Sequence, residues 1–384
     1  MTATVHLSPH RLDLATRDLR EEVRGFLDSE REAGAFTPRC DAWMSAPDPA
    51  FSRRLGARGW IGMTLPTAYG GHGRSALDRF VVTEELLAAG APVAAHWIAD
   101  RQMAPSLLRH GTEAQRQRYL PAIARGECYF AIGMSEPDAG SDLASVRTRA
   151  REVSDGWEIS GTKIWTTGAH YAHAMVVLAR TDGPPADRHS GLSQFLVDLP
   201  AAGVAIRPIL TIDGEHHFNE VVFDSVVVPE DSLLGERGAG WRQVTAELAH
   251  ERSGPERLMS TVPLLCAWAE QLADGPGDAV ADRALGRLTA RAWTLRQLSL
   301  SVAAALAEGR STEIAAALVK DLGSRFEGDV VETIRQLVDA EPRTGADGLE
   351  GLLAEAVLHA PAFTLRGGTN EILRSVVARG LGVR

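Results

Sequence analysis

Apolar residues recur at helical spacing through the first third of the chain. In residues 12–32 they fall on one face of a helix, at Leu12, Leu19, Val23, Phe26 and Leu27. The same period returns around residues 76–90 and again at 114–124. This pattern predicts a helical N-terminal domain over residues 1–127.

The pattern changes at about residue 128, where short runs of valine, isoleucine, phenylalanine and tryptophan begin to alternate with glycine, aspartate and proline. Six such runs follow one another: CYFAIGM, GWEISG, AMVVLAR, SQFLVDL, VAIRPIL and NEVVFDSVVV. Short runs of this composition, bounded by turn residues, are typical of β-strands. We therefore predict a central β-domain over residues 128–236.

Helical spacing resumes after the glycine-rich segment at 235–240. The predicted helices cover residues 241–272, 278–307, 311–339 and 349–359, joined by loops rich in glycine, proline and aspartate. They form a C-terminal helical domain over residues 237–384. The order helical, β, helical makes the chain an α+β protein.

Charge and composition exclude several classes of protein. The net charge is −10, whereas a nucleic-acid-binding protein needs a basic face for the phosphates. No apolar run is long enough to cross a bilayer, and the first residues lack the charged-then-apolar pattern of a signal peptide. We therefore expect a cytoplasmic protein that binds neither nucleic acid nor membrane. The cysteines, Cys40, Cys128 and Cys266, lie far apart, which argues against a zinc site or a disulfide framework.

Two glycine-containing segments suggest different chemistry. The run PTAYGGHGRS at 66–75 is not a phosphate-binding loop, because no strand precedes it and no Gly-Lys-Ser/Thr closes it. The run MSEPDAGSD, Met134 to Asp142, directly follows a predicted strand. Its Gly140-Ser141 turn offers N–H groups and a hydroxyl to a phosphate or ribityl chain, and Ser135 could hydrogen-bond a flat heterocycle. The alternative for this run is a loop of ordinary turn-forming residues.

The run GTKIWTTGAH follows another predicted strand. Trp165 could cover one face of a planar ring, while Thr166 and Thr167 bond the edge of that ring. The alternative is a β-turn with a half-buried tryptophan. The run also contains Lys163, which with Lys320 makes up all the lysine of the chain.

A carboxylate lies in an unexpected place on the predicted helix 241–272. Its apolar stripe takes Val244, Leu248, Leu258, Val262, Leu265 and Ala269, and the spacing turns Glu251 into this stripe while Glu247 and Glu256 are rotated away. A carboxylate facing a core resists ionisation, so its pKa should rise towards the range of a general base. Pro255 should bend the helix. The alternative is a buried Glu251 paired with Arg252 or another arginine.

The last motif is LRGGTNEI, residues 365–372. Gly367 and Gly368 allow a backbone to approach a ligand closely, and Thr369 with Glu371 reads as the start of a helix. Such a start presents N–H groups to an anion or to the edge of an electron-rich ring. The alternative is the end of one helix followed by the cap of the next.

Six motifs in this order and spacing resemble the acyl-CoA dehydrogenase family of flavoproteins. They are LPTAYGGHG, GTEAQRQRYLP, MSEPDAGSD, GTKIWTTGA, VVFDSVVVPEDSLLGERGAGW and RGGTNEILRSVVARGLG. The resemblance implies an N-terminal helical domain, a central β-barrel-like domain, a C-terminal four-helix bundle and bound FAD.

The resemblance also implies roles for individual residues. Those implied to bind the cofactor are Met134, Ser135, Gly140, Ser141, Trp165, Thr166, Thr167, Thr369 and Glu371. Those implied to lie near the pantetheine arm of the substrate are Ser141, Arg252 and Gly368. The implied reaction is α,β-dehydrogenation of an acyl thioester, with the α-proton passing to a carboxylate and the β-hydride to flavin N5.

The chain departs from the family pattern at the base. Many members carry their catalytic glutamate where this chain has Gly367, which leaves only a backbone N–H for the thioester oxygen. A smaller branch carries the glutamate on the first bundle helix in a Glu-Arg pair, and Glu251-Arg252 matches that pair. The resemblance therefore makes Glu251 the catalytic base and gives Gly367 the oxyanion contact.

Two motifs that hold the far end of FAD in the family are missing. Residues 270–285 contain no Arg followed by Phe-Gly, and the Gln-x-x-Gly-Gly-x-Gly loop is replaced by IRQLVDAEPRTGADG. The resemblance implies a homo-oligomer, a dimer or tetramer, with a hetero-oligomer as the alternative. Its substrate would be a thioester of coenzyme A or acyl carrier protein, and its electron acceptor an electron-transfer flavoprotein. Two rival functions are a non-catalytic or half-site subunit, and a flavin oxidase or monooxygenase.

Overall fold

The computed structural model describes residues 10–182, 187–251, 254–310 and 312–383. Its α-helices are α1 (Leu14–Glu32), α2 (Ala42–Ser45), α3 (Pro49–Ala57), α4 (Ala76–Ala88), α5 (Ala94–Ile98), α6 (Ala104–His110), α7 (Glu113–Ala124), α8 (Gly240–Glu251), α9 (Val262–Asp274), α10 (Ala279–Ala307), α11 (Glu313–Leu337), α12 (Gly348–Phe363) and α13 (Asn370–Gly380). A π-helical turn, Ala99–Met103, links α5 to α6. Its strands are β1 (Phe130–Gly133), β2 (Arg149–Val153), β3 (Gly156–Lys163), β4 (Ala174–Arg180), β5 (Leu192–Asp198), β6 (Val204–Leu210), β7 (His216–Val228) and β8 (Leu233–Leu234).

The order of helices and strands confirms the α+β prediction. The three helices predicted in the first third correspond to α1, α4 and α7, and the six apolar runs correspond to β1 and β3 to β7. Local signals fix several helix starts. At α4 the Ser75 hydroxyl accepts from the Asp78 N–H at 3.1 Å, and the Asp78 carboxylate accepts from the Ser75 N–H at 3.1 Å. This reciprocal cap satisfies two N–H groups that the helix cannot.

The strands form one mixed sheet in the order β6-β7-β3-β2-β4-β5-β8, with β1 pairing in parallel with β4. Among the described residues the sheet is open, with β6 and β8 at its edges. Side chains of β4 alternate between two cores, because Val177 packs in one cluster with Phe195 and Val221, whereas Val176 packs in another with Phe130 and Leu196. Burial on both faces explains why β4 is a continuous apolar run.

Contacts between backbone segments divide the chain into two compact units. The first unit comprises Met1–Ala46, Arg74–Val93 and Ala249–Arg384, and it is helical. The second comprises Pro47–Gly73 and Ala94–Leu248, and it contains the whole sheet with its flanking helices. The domain boundaries predicted at residues 127 and 236 stay a prediction. None of the described helices combines the length and the apolar character that a membrane crossing requires.

The predicted continuous helix over 241–272 is wrong. Helix α8 ends at Glu251, a single 3₁₀ turn covers Pro255–Arg257, and α9 begins at Val262. Pro255 starts the 3₁₀ turn, where its missing N–H is not needed, and so it accompanies a break and not a bend. The apolar positions on either side of this break therefore do not share one helical face.

Candidate active site

In the second unit, Met134 and Ser135, two of the predicted cofactor-binding residues, directly follow β1. The Met134 side chain packs against the small core that includes Leu178 and Leu192. The Ser135 carbonyl accepts from the Ile164 N–H at 2.9 Å. This bond brings together the MSEP and GTKIW segments, which lie about thirty residues apart in the sequence.

A buried ion pair lies beneath these two segments. Lys163 Nζ is 2.9 Å from Glu136 Oε1 and donates to the Met134 carbonyl at 3.0 Å. The Glu136 carboxylate also accepts from the N–H groups of Arg147 and Thr148, at 2.6 and 2.9 Å. Burial alone would raise the pKa of Glu136, but Lys163 and these donors hold it below its usual value. Burial lowers the pKa of Lys163 to about 8, against the attraction of Glu136.

The Gly140-Ser141 turn is exposed. A Cβ placed on Gly140 would meet no atom within 4 Å, so the packing of the chain itself does not require glycine there. The turn continues into Asp142, whose carboxylate pairs with Arg188 and accepts from the Ser145 hydroxyl at 2.5 Å. These bonds to the Asp142 carboxylate lower its pKa.

Trp165 adopts a left-handed backbone conformation, with φ of 57°. The residue is 56% exposed, and its ring meets the edge of Phe218 at 5.7 Å between centroids. A bulky residue rarely adopts this conformation, and such outliers cluster at ligand sites. An exposure of 56% also agrees with the alternative of a half-buried tryptophan, and the contact of Trp165 with a planar ring stays a prediction.

Asn219 fixes the segment that follows Trp165. Its side-chain amide donates to the Thr166 carbonyl at 3.0 Å, and its backbone exchanges two hydrogen bonds with Thr166 at 3.0 and 3.1 Å. The same side chain bonds His170 Nδ1 at 3.2 Å and His216 Nε2 at 2.7 Å. Sequence reasoning missed Asn219, because it lies inside a strand run read only for its apolar pattern.

In the first unit, the LRGGTNEI motif forms a turn that leads into α13. Gly367 and Gly368 have φ of 66° and 92°, which explains why both are glycine. Thr369 caps α13 and accepts from the Ile372 N–H at 3.4 Å. Bonds from its own N–H and from the Thr369 hydroxyl lower the pKa of Glu371. The alternative of one helix end followed by the next cap therefore describes the local geometry correctly, and it leaves the Gly367 amide in the turn between them.

Arg366 anchors this turn in a buried polar cluster. Its guanidinium bonds both oxygens of Asp41 at 2.6 and 2.5 Å and the Ser260 hydroxyl at 2.8 Å, and it lies 3.7 Å from Glu327. It also stacks over the Trp43 ring at 4.5 Å. Burial raises the pKa of Glu327, although Arg366 opposes the shift. The sequence offered one signal for Glu327, which lies seven residues after Lys320 and seven before Ile334 on α11.

Arg257 occupies the space beside Gly367. A Cβ on Gly367 would lie 3.0 Å from Arg257 Nη2 and 3.1 Å from its Cζ, and the same guanidinium stacks over Trp43 at 5.0 Å. Glu256 is 2% exposed, so the prediction that it is rotated away from the core is wrong. The reason is the helix break, since Glu256 belongs to the 3₁₀ turn and does not follow the period of α8.

The predicted base falls at the edge of the described chain. Glu251 is the last residue of α8 and its side chain lies outside the described residues, as does Arg252. Glu247, one turn earlier, bonds the Ser106 hydroxyl at 2.7 Å and Gln194 Nε2 at 3.2 Å. Because the Glu251 side chain is not described, its inward direction stays a prediction. The predicted rise in its pKa stays a prediction.

The donors of the second unit fit a planar, polar cofactor. Within the described residues, Thr166 Oγ1 is buried with no hydrogen-bond partner, and an unsatisfied buried hydroxyl points to a missing ligand or water. The exposed Trp165 ring supplies a flat face, and the exposed Gly140-Ser141 turn presents its backbone and a hydroxyl group. The ring edge and phosphates of FAD need such groups.

Comparisons with known proteins agree with these motifs. Models of the acyl-CoA dehydrogenase N-terminal, middle and C-terminal domains match residues 15–127, 131–226 and 238–382. The acyl-CoA dehydrogenase FadE29 of Mycobacterium tuberculosis is 35% identical over 343 residues, which cover 86% of this chain and 86% of that protein.

Two solved structures match over nearly the whole chain. One, described as "Tcur3481-Tcur3483 steroid ACAD", is 31% identical, covers 97% of this chain and 99% of its own, and has a TM-score of 0.84. The other is the ChsE4-ChsE5 complex from Mycobacterium tuberculosis, 28% identical, covering 98% of this chain and 100% of its own, with a TM-score of 0.81.

Proposed function

We propose that this chain, which belongs to the acyl-CoA dehydrogenase family of oxidoreductases acting on CH–CH bonds, catalyses FAD-dependent α,β-dehydrogenation of an acyl thioester. In this proposal Met134, Ser135, Gly140, Ser141, Trp165, Thr166, Thr167, Thr369 and Glu371 hold the cofactor. FAD, when bound, would supply the acceptor for the hydride that leaves the β-carbon. Ser141, Arg252 and Gly368 would contact the pantetheine arm.

The assignment of the catalytic base to a residue other than 367 is supported by the position of the Arg257 guanidinium beside Gly367. Residue 367 has no side chain to take a proton, and the space a side chain would need is within 3.0 Å of Arg257. A base must therefore come from another segment, and Glu251, in the Glu-Arg pair at the end of α8, is the carboxylate we propose. Its role is to take the α-proton of the thioester.

Gly367 contributes through its backbone. In the proposed reaction its N–H donates to the thioester oxygen, where negative charge develops as the α-proton leaves. A donor fixed in advance stabilises such charge better than water, which must reorient. The rigid anchoring of Arg366, one residue earlier, supports this role because it leaves the turn little freedom.

Anaerobic titration of the purified protein with a panel of thioesters tests the proposal. The panel includes coenzyme A and acyl-carrier thioesters with straight, branched and polycyclic acyl groups, the last because a related solved structure is described as a steroid ACAD. We expect at least one thioester to bleach the flavin absorbance. A flavin-loaded protein that no thioester reduces would contradict the proposal, and rapid reoxidation by oxygen would identify the oxidase instead.

A half-site subunit of a hetero-oligomer is the second candidate. It is supported by the missing motifs for the far end of FAD in residues 270–285 and 334–348, and by the ChsE4-ChsE5 complex among the similar structures. Purification of the chain alone separates the candidates. A yellow homo-oligomer reducible by substrate contradicts the half-site subunit, whereas a colourless chain that gains flavin only with an unlike partner supports it.

The remaining partners are proposals from the same family membership. We propose an electron-transfer flavoprotein as the electron acceptor, a homodimer or homotetramer as the assembly, and the cytoplasm as the location. Reoxidation of the substrate-reduced protein by a purified electron-transfer flavoprotein, followed by its flavin absorbance, tests the first of these.

A further inference from the structure

Lysine use in this chain is unusual. Of the 40 lysine and arginine residues, only Lys163 and Lys320 are lysine, and both side chains are fully buried. Lysine is among the residues least often buried completely, and burying its charge carries a large desolvation cost. Both ammonium groups therefore lie in the interior, where each needs polar partners.

Lys163 connects two strands that do not pair with each other. It is the last residue of β3, which pairs with β2 and β7, whereas the Met134 carbonyl that it bonds follows β1, which pairs with β4. Its second partner, Glu136, binds in turn the N–H groups of Arg147 and Thr148. One ammonium thus bonds the backbone of Met134 and the side chain of Glu136, which lie on either side of Ser135.

The stem of Lys163 packs closely against its neighbours. A Cβ built on Gly133 would lie 3.1 Å from Lys163 Cγ and 2.8 Å from the Met175 methyl group, so the lysine stem runs against bare backbone. A guanidinium is wider than an ammonium and presents its donors in a fixed planar fork. The two acceptors of Lys163, a carbonyl and one carboxylate oxygen, suit a compact point charge instead.

Lys320 makes the equivalent contact in the first unit. From α11 its Nζ donates to the Gly368 carbonyl at 2.9 Å and to Asn370 Oδ1 at 3.0 Å. Asn370 is 2% exposed, and its Oδ1 also accepts from the Ser324 hydroxyl at 3.0 Å. These bonds fix the backbone between the glycine turn and the start of α13.

We infer that Lys163 and Lys320 are positioning residues, each fixing the backbone of one segment that the proposed function assigns to cofactor and substrate. Lys163 holds the Met134–Glu136 segment, and Lys320 holds the Gly368–Asn370 segment. Each acts through the backbone that it bonds and does not touch the reacting atoms. The inference rests on the proposed function for what the two segments bind, but the fixing itself is a property of the chain alone.

Hydrogen exchange by mass spectrometry, on the full chain with and without FAD, tests the inference. The variants are Lys163→Met combined with Glu136→Gln, which leaves no unpaired buried charge, and Lys320→Met. We expect amide exchange to quicken about tenfold in residues 134–148 for the first and in residues 366–372 for the second, with the other segment unchanged. Flavin affinity, measured by fluorescence titration, should fall about tenfold for the first variant.

Two further variants distinguish an effect of the shape of the donor group from an effect of its charge. Lys163→Arg and Lys320→Arg keep the charge but change the shape of the donor, and we expect both to exchange as fast as the methionine variants. Arg207→Met and Arg335→Met, whose side chains are 65% and 48% exposed, are controls that should leave both segments protected.

Three results would overturn the inference: unchanged exchange in both segments, exchange that quickens equally along the whole chain, or arginine variants that match the wild type. Faster exchange with unchanged flavin affinity in the Lys163 variant would overturn its positioning role. A wild-type chain that never binds FAD would instead contradict the proposed function, while the exchange pattern would still decide whether the lysines fix their segments.

Discussion

Replacing Arg366 with methionine should strongly destabilise the first unit. The Arg366 side chain is 12% exposed and neutralises Asp41, whose side chain is 6% exposed, through two short bonds. It also lies 3.7 Å from Glu327, whose side chain is 1% exposed. Methionine fills similar volume but removes the guanidinium that both buried carboxylates face.

The size of the effect follows from the stranded charges. Breaking a buried ion pair by removing one partner costs about 3–5 kcal/mol, and the lost stacking on Trp43 adds about 1 kcal/mol. We therefore expect Arg366→Met to lower the free energy of unfolding by about 4 kcal/mol in urea titrations. Arg335→Met is the control, because Arg335 pairs with Glu332 at the surface and should cost at most about 0.5 kcal/mol.

A double variant tests the cause. If the stranded carboxylate dominates the loss, Asp41→Asn should cost much less in the Arg366→Met background than in the wild type, with a coupling of about 2 kcal/mol. The reasoning is refuted if Arg366→Met loses less than about 1 kcal/mol, or if Asp41→Asn costs the same in both backgrounds.

Three smaller predictions follow from single contacts. Gly367→Ala should cost about 1–2 kcal/mol in thermal unfolding, since its φ of 66° disfavours a side chain and Arg257 would have to move; unchanged stability would contradict the crowding. Burial lowers the pKa of His96 to about 4. Between about pH 6.5 and pH 4 the unfolded chain therefore binds a proton at His96, whereas the folded chain does not. The free energy of unfolding should fall by about 3 kcal/mol as the pH is lowered through this range. His96→Gln should flatten that part of the pH–stability curve, and an unchanged slope would show that another group causes it. Ser75→Ala removes one half of the capping box of α4 and should cost about 1 kcal/mol, whereas no loss would mean that water replaces the cap.

The sequence predicted the order of helices and strands well, because the side chains that an element buries set the spacing of its apolar residues. The apolar spacing of α1 and the continuous run of β4 each report one element and its own packing. The same reasoning was wrong at residues 241–272. The apolar residues of α8 and α9 happen to follow one continuous helical period, although the two helices are separated by a break. Pro255 signalled an interruption, but spacing alone does not separate a bent helix from two helices joined by a turn.

The candidate site was predicted as motifs but not as contacts. Trp165 and Gly367 were found from residue type and spacing, whereas their supports, Asn219 and Arg257, come from distant segments. The Asp41–Arg366 pair joins residues 325 apart in the chain, and no local pattern specifies such a partner. More of these distant partners could have been found by searching for polar residues at apolar positions of a predicted helix. Lys320 and Glu327 on α11 are two examples.

Rapid-mixing reduction of the Glu251→Gln variant by a substrate thioester tests the central claim most directly. Glu247→Gln, one turn earlier on α8, is the matched control, because that carboxylate bonds Ser106 and Gln194. We predict that the Glu251 variant binds flavin normally while its flavin bleaches about a thousandfold more slowly, and that the control reduces at close to the wild-type rate. Bleaching of the Glu251→Gln flavin at the wild-type rate would contradict the account, because the α-proton would then be leaving to another base.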